Sequence, residues 1–368
     1  MLCAGRLWWY ANNSRESQLI GWDPVQNSWT APLSIHNYST KMRPIADSRG
    51  RVLMAVRSDG RNPDVTIHSW QPKTKLWETI ATFPWASDGL PILITAGKDG
   101  IWLTDQKSLL RFDLAKKTLQ QESLPESSEN VVQLWAEDSE IFLITKERLW
   151  QFDRRQNTWQ EWKVPVTATQ LWPQLAASEG ASLWGFLNAR NAGPAPLFRF
   201  EPGTNRFSFF GENAGLPHSE GGQMIEAGGQ IWWLHPTGAF RFDTAAQRFL
   251  HEVPFQARRI AASQSKAWVW IAGESAQKSD ATLYRWSAAS GKTVPEAGSI
   301  QNRCQALLSA GEGVLAATDN GLYRVDAESV WTLMDTLQMP VSQLMRASNG
   351  AVWATTNGPG FLRLTSAS

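Results

Sequence analysis

The residues of this 368-residue chain with chemical potential are repeated acids, five histidines, two cysteines and 21 tryptophans. Asp23, Asp113, Asp153, Asp243 and Asp326 recur in similar surroundings, and converging carboxylates would offer acid–base or metal chemistry. They hold one position in successive copies of a repeat, so they are expected to be spread apart, each opening a turn by accepting a nearby backbone N–H. His36, His68, His218, His235 and His251 form no H-x-H or H-x-x-x-H pattern and sit in no acid or thiol ligand set, which leaves a zinc site without support. Cys3 and Cys304 stand far apart, neither in a C-x-x-C pair; a disulfide framework is excluded, and the redox compartment stays open. The chain has no G-x-S-x-G elbow, P-loop or H-E-x-x-H, so no catalytic residue, metal or cofactor is expected.

What must position any site is the repeat. GLYRVDAESVW (Gly321 to Trp331) restates LIGWDPVQNSW from Leu19, LLRFDLAKKTL from Leu109, LWQFDRRQNTW from Leu149, LFRFEPGTNRF from Leu197 and GAFRFDTAAQRF from Gly238. The period of roughly 38 to 49 residues falls where repeats mean solenoids or propellers. Each unit opens with an apolar run, turns, and continues in a second run such as IWWLH at Ile231 or VLAAT at Val314. A Gly, Asn or Asp turn such as TDNG (Thr318 to Gly321) leads to a third run that alternates aromatic and polar residues. An Asp-led turn then leads to a fourth strand starting near Trp29, Trp77, Trp159, Phe207, Phe249 or Trp331.

Four short strands per unit without a 3.6-residue period predict an all-β chain. One such unit cannot bury both its faces, so neighbours must stack on it, and the expected fold is a β-propeller of four-stranded blades, about eight or nine in number. The tryptophans at strand positions, Trp102, Trp184, Trp232, Trp270 and Trp353, are expected to pack between blades. The whole of 1–368 reads as one propeller region, with repeats at 5–41, 42–85, 86–125, 126–166, 167–217, 218–254, 255–299, 300–338 and 339–368. The first copy is expected to lack a first strand, and the last stops after its third, at Leu364. Either the blades are imperfect or the chain is a fragment of a longer protein, the reading preferred here.

The phrase G-x-[IVL]-W-x-x-T followed by G-L-[YF]-R-F-D resembles the two-component regulator propeller repeat, best at Gly313 to Asp326, Gly350 to Leu364, Gly100 to Asp113 and Gly229 to Asp243. Prolines before first strands, at Pro125, Pro165, Pro217, Pro254 and Pro340, and the GLPHS segment at Gly215 fit the same family. The resemblance implies a ligand-binding sensor propeller of a bacterial signalling protein, in an extracytoplasmic position, with a membrane-linked output domain outside this chain. It also implies oligosaccharides among the ligand classes. Kelch is second choice, since its double glycine occurs only at Gly221-Gly222 and Gly228-Gly229. Tryptophan-docked quinoprotein dehydrogenases are a weaker likeness, because the cysteines here are isolated.

The blade-start loops gather polar groups expected around one rim of a central channel: Glu129 and Asn130, Thr169, His218 with Ser219 and Glu220, Gln256 with Arg258 and Arg259, Arg303, and Ser342 with Gln343. Loops that converge from several blades make such a rim the expected ligand site. Trp85 and Trp172, near blade starts, are candidate aromatic platforms for a sugar, although packing is the commoner use of a tryptophan. The formal net charge of +1 with well-mixed signs gives no electrostatic case for nucleic acid. No apolar stretch is long enough for a membrane helix, and the N-terminus lacks the pattern of a signal peptide. The expected partner is a small molecule or oligosaccharide. A protein partner on a stand-alone scaffold is the alternative, and a glycan-active lyase or hydrolase is the third choice.

Overall fold

In a computed structural model the chain is a succession of antiparallel sheets, each made from strands consecutive in sequence. The structure describes residues 2–3, 6–12, 17–23, 28–35, 44–46, 52–58, 64–85, 93–97, 100–104, 109–113, 116–122, 131, 133–137, 140–145, 147–153, 156, 158–165, 171–179, 182–189, 197–218, 221–274, 281–300, 303–334, 340–346, 351–356 and 361–364. The first sheet holds β1 (Leu2–Cys3), β2 (Arg6–Asn12), β3 (Ser17–Asp23), β4 (Ser28–Trp29) and β5 (Leu33–Ile35). The second holds β6 (Ile45–Ala46), β7 (Val52–Arg57), β8 (Asp64–Gln71) and β9 (Leu76–Pro84). The third comprises β10 (Leu93–Gly97), β11 (Gly100–Thr104), β12 (Leu109–Asp113) and β13 (Thr118–Glu122). The fourth comprises β14 (Gln133–Glu137), β15 (Glu140–Ile144), β16 (Arg148–Asp153) and β17 (Thr158–Lys163).

The later sheets repeat the plan. The fifth is β18 (Leu171–Glu179), β19 (Ser182–Ala189), β20 (Leu197–Glu201) and β21 (Arg206–Phe210). The sixth is β22 (Gln223–Ala227), β23 (Gln230–His235), β24 (Gly238–Asp243) and β25 (Arg248–Val253). The seventh is β26 (Gln256–Ala262), β27 (Trp268–Glu274), β28 (Ala281–Ser287) and β29 (Thr293–Ile300). The eighth is β30 (Cys304–Ala310), β31 (Gly313–Thr318), β32 (Gly321–Val325) and β33 (Trp331–Leu333). The ninth has three strands, β34 (Val341–Arg346), β35 (Val352–Thr356) and β36 (Phe361–Leu364). The short β1, paired Leu2 to Leu7 and Cys3 to Arg6, corrects the expectation that the first copy has no first strand. Two residues suffice to pair there, too few for a sequence period to reveal.

The sheets divide between two compact units, one of residues Met1–Gln174 with Ala347–Gly350 and one of Leu175–Arg346 with Ala351–Ser368. Within each unit, consecutive sheets share buried clusters. Second strands such as β31 are buried throughout, while fourth strands such as β13 and β17 are largely exposed. This gradient explains why second strands read as continuous apolar runs and fourth strands as mixed ones.

One contact recurs. The indole of a second strand packs on the ring that is the penultimate residue of the third strand of the next sheet: Trp8 on Trp70 at 5.9 Å, Trp102 on Phe152 at 5.5 Å, Trp184 on Phe242 at 4.7 Å, Trp232 on Trp286 at 5.8 Å. Trp270 meets Val325 in the same role. Across its own sheet, each of Trp102, Trp184, Trp232 and Trp270 pairs with an arginine: Arg111, Arg199, Arg241 and Arg285. In the first sheet the arginine is replaced by Gly21, opposite Trp8, where a Cβ would lie 2.6 Å from the indole.

The arginines also bridge sheets. Arg199 lies 5.6 Å over Phe242 and donates to Gln247 at 3.0 Å; Arg241 lies 5.1 Å over Trp286. Arg285 donates to the Ala327 carbonyl. Their charges are matched within the sheet, Arg241 to Glu252 at 2.9 Å and Arg285 to Glu296 at 2.6 Å. Glu252 in turn accepts from the Thr293 hydroxyl of the next sheet at 2.6 Å.

The Asp-led turns are as the repeat implies. Asp113 accepts from Lys116 N–H at 2.9 Å, Asp153 from Gln156 at 3.1 Å, Asp243 from Ala245 and Ala246 at 2.9 Å, and Asp326 from Val330 at 2.8 Å. Asp23 also ion-pairs with Arg6 at 2.7 Å. Asp113, Asp153, Asp243 and Asp326 are thus turn acceptors, each on a different sheet. The fourth strands begin within a residue of the expected positions.

Trp232→Ala is expected to lower unfolding stability by about 3–5 kcal/mol, the cost of emptying a large buried aromatic site. Trp29→Ala, at a ring 54% exposed that meets the edge of Trp22, should cost under about 1.5 kcal/mol. Urea denaturation of both variants checks the contrast, and equal losses would refute the role assigned to the second-strand indole.

Candidate functional site

Three successive first strands in the second unit share an irregularity. Ala257 pairs with Gly273 and Arg259 with Ala272, leaving Arg258 as an extra residue. Cys304 pairs with Thr318 and Ala306 with Ala317, leaving Gln305; Val341 pairs with Thr356 and Gln343 with Thr355, leaving Ser342. These are β-bulges, which bend a strand and re-aim side chains. Each bulge follows a buried apolar anchor, Ala257, Cys304 or Val341. The anchor holds the strand in the core, and one polar residue is inserted next to it.

The bulges lie side by side, because β26 packs along β30 and β30 along β34. Arg259 Nε donates to the Gln305 carbonyl, tying one bulge to the next, and its NH1 donates to the Arg258 carbonyl at 3.0 Å. Gln256, oriented with its amide oxygen towards Arg258, accepts from NH2 at 2.8 Å and Nε at 3.0 Å. The Gln305 amide donates to Asp319 at 2.9 Å. Thr318, buried opposite Cys304, donates to the Gly321 carbonyl at 3.0 Å and caps the turn beyond the edge. At the matching end of the sixth sheet, buried His235 accepts on Nδ1 from the Thr237 N–H at 3.1 Å, with the Thr237 hydroxyl at 2.8 Å.

Burial pushes the Cys304 thiol up to about 12, with Arg259 pulling the other way and Glu274 reinforcing the shift. The thiol is therefore held neutral, an anchor rather than a nucleophile. Among the described residues, no group of three or more His, Cys, Asp or Glu is placed to hold a metal.

Of the residues singled out from sequence, Gln256, Arg258, Arg259, Arg303 and Gln343 fall together on this edge, with Arg258, Arg303 and Gln343 exposed. Ser342 is a bulge residue, and Trp172 lies in β18; their side chains are outside the described residues. Glu129, Asn130, Thr169, Ser219 and Glu220 also lie outside the described residues. His218 is exposed and pairs with Glu212 in its own loop. Trp85 is only 4% exposed and packs 6.5 Å from Phe83 in the core of the first unit, so its ring surface is taken up by packing. Gln305 and Asp319 were missed by the sequence reading. Aligning the residue after each first-strand anchor would have placed Gln305 with Arg258 and Ser342.

No protein-family model matches the chain, and no curated protein matches its sequence. Similar solved structures include Porphyromonas gingivalis dipeptidyl peptidase 4, at 8% identity and a TM-score of 0.50, covering 96% of this chain and 64% of that one. They also include the extracellular domain of a protein described as the hybrid two component system BT3049 of B. thetaiotaomicron, at 12% identity and TM-score 0.41, covering 99% and 56%. A third is the Dos1 propeller, at 10% identity and TM-score 0.48, covering 88% and 91%. The chain thus spans under two thirds of the first two proteins. At these identities the likeness is one of fold and assigns no residue a role.

In a Cys3→Ser background, Cys304 is expected to resist iodoacetamide at pH 8 in the folded chain and to react on addition of urea. Because its folded value lies above the ordinary 9.0, this thiol's contribution to stability is complete below pH 9 and is lost as pH rises towards 12. Rapid labelling of the native chain would contradict the buried anchor.

Proposed function

We propose that residues 1–368 form a non-catalytic β-propeller of about eight or nine blades that binds a small molecule or oligosaccharide on its first-strand edges. In this reading it is the sensor part of a bacterial signalling protein, held outside the cytoplasm and coupled to a membrane-linked output domain. The observation that carries the binding reading is the row of neighbouring bulges, each inserting a polar residue into a first strand. Bulges interrupt hydrogen-bonded pairing, and a fold that repeats them at one edge of successive sheets has built that edge for something other than its ladder. The exposed polar groups around it, Arg258, Arg303 and Gln343, supply directional donors without a catalytic acid–base pair. The repeat phrase, with its likeness to sensor propellers, supports the signalling half of the proposal.

A second reading, a scaffold that captures a protein, is favoured by exposed apolar side chains on fourth strands: Trp29, Leu76, Val294 and Leu333. They stand on the fourth strands of different sheets, whereas the bulges are on first strands.

A calorimetric screen of oligosaccharides and small metabolites separates the two. The sensor reading expects a ligand whose Kd rises about tenfold, roughly one lost hydrogen bond to a charged group, in Arg258→Ala or Gln343→Ala. It also expects that ligand to change output activity in the full-length protein. Ligand binding indifferent to both substitutions would remove the bulged edge as the site. A captured protein released by Trp29→Ser would favour the scaffold.

A further inference from the structure

Three arginines on third strands of the second unit are matched to a carboxylate, Arg199 to Glu201, Arg241 to Glu252 and Arg285 to Glu296. Arg258 and Arg303 are exposed and have no carboxylate partner among the described residues. They sit on the same side of one clasp. Arg258 directly precedes Arg259, and Arg303 lies two residues before Gln305, whose carbonyl Arg259 holds. The two residues therefore stand at the starts of neighbouring strands, β26 and β30, on the same edge.

This edge is prepared rather than loose. Gln256 grips the Nε and NH2 edge of Arg258, which fixes the plane of the guanidinium and leaves NH1 without a partner among the described residues. The charged groups described around this edge are Arg258, Arg259 and Arg303 against Asp319, which accepts from Gln305, and Glu274, which acts with Arg259 on the Cys304 thiol, an excess of one positive charge.

We propose that this edge is an anion-recognition site, in which Arg258 and Arg303 grip a carboxylate or sulfate group of a hydroxylated small ligand. Planar guanidinium forks suit such oxyanions better than a lysine would. The exposed Gln343 amide, on the neighbouring bulge, is placed to take hydroxyl groups of the same ligand. The assignment rests on the ligand-binding reading above and narrows it to an acidic ligand.

The test is calorimetry on the 368-residue chain at low ionic strength with trigalacturonate, maltotriose and sodium sulfate. Trigalacturonate is expected to bind, with a Kd raised at least about tenfold in Arg258→Ala and in Arg303→Ala, and raised further in the double variant. Arg258→Lys should recover only part of the affinity, since it keeps the charge and loses the fork. Arg206→Ala, an exposed arginine of β21 in the same unit, should leave the Kd unchanged, and all variants should keep the parent Tm. Sulfate binding with the same arginine dependence also supports the site and locates recognition in the charge alone. The assignment is overturned if neither anion binds, or if both bind equally well to the double variant. Maltotriose binding that ignores both arginines, with no anion bound, would overturn it while leaving the sensing reading intact.

Discussion

Everything in this chain depends on one aromatic contact between consecutive sheets. A sheet of four short strands buries little by itself, and its second strand is apolar on both faces. The indole of that strand must find a hydrophobic wall, and the wall is the ring or aliphatic side chain in the third strand of the following sheet, as with Trp184 on Phe242 and Trp232 on Trp286. The contact is hydrophobic and geometrically specific, since edge-to-face packing adds to the area buried. Because the two positions recur in five of the sheets, those of Trp8, Trp102, Trp184, Trp232 and Trp270, one solution to the burial problem is used repeatedly along the chain.

That contact forces the arginine beside it. The residue across from the indole lies next to the intersheet seam, where it must be long enough to cover the ring and polar enough to end in solvent or in an ion pair. Arginine meets both conditions, covering apolar surface with its stem and stacking its guanidinium on aromatic faces. Burial then demands a counter-charge, which Glu252 and Glu296 supply from the fourth strand. Where the indole itself covers that space, as Trp8 does over Gly21, no side chain fits and the arginine is gone.

Much of this was legible in the sequence, because the repeat writes each strand, turn acid and packing indole several times. The Asp-led turns and the fourth-strand starts needed only local chemistry, and local chemistry is what a repeated phrase records. The bulges were not legible, since a bulge is a relation between two strands: Arg258, Gln305 and Ser342 become extra residues only when the pairing of both neighbours is known. Trp85 misled for a related reason. Its segment, FPWASDG, has loop composition, yet the ring reaches back into the core beside Phe83. The polar residues on the edge were identified from their place before a first strand, but Gln305 was hidden behind an anchor, Cys304, that drew attention as a thiol.

The two kinds of arginine separate stability from recognition. A guanidinium at the seam is partly desolvated, and stripping it of its partner would leave an uncompensated charge costing several kcal/mol; such an arginine cannot change freely. Glu296, only 5% exposed, is bound by the same constraint from the other side. At the bulged edge, water solvates Arg258 and Arg303, so neither needs a protein counter-ion and neither contributes much to folding. Substitution there leaves the seam, the indoles and the anchors untouched. A repeat architecture can therefore vary its edge residues from sheet to sheet, arginine here, glutamine or serine there, while the third-strand arginine remains tied to its glutamate. The bulge makes this possible, because it inserts the variable residue without shifting the apolar anchor that precedes it or the ladder that follows.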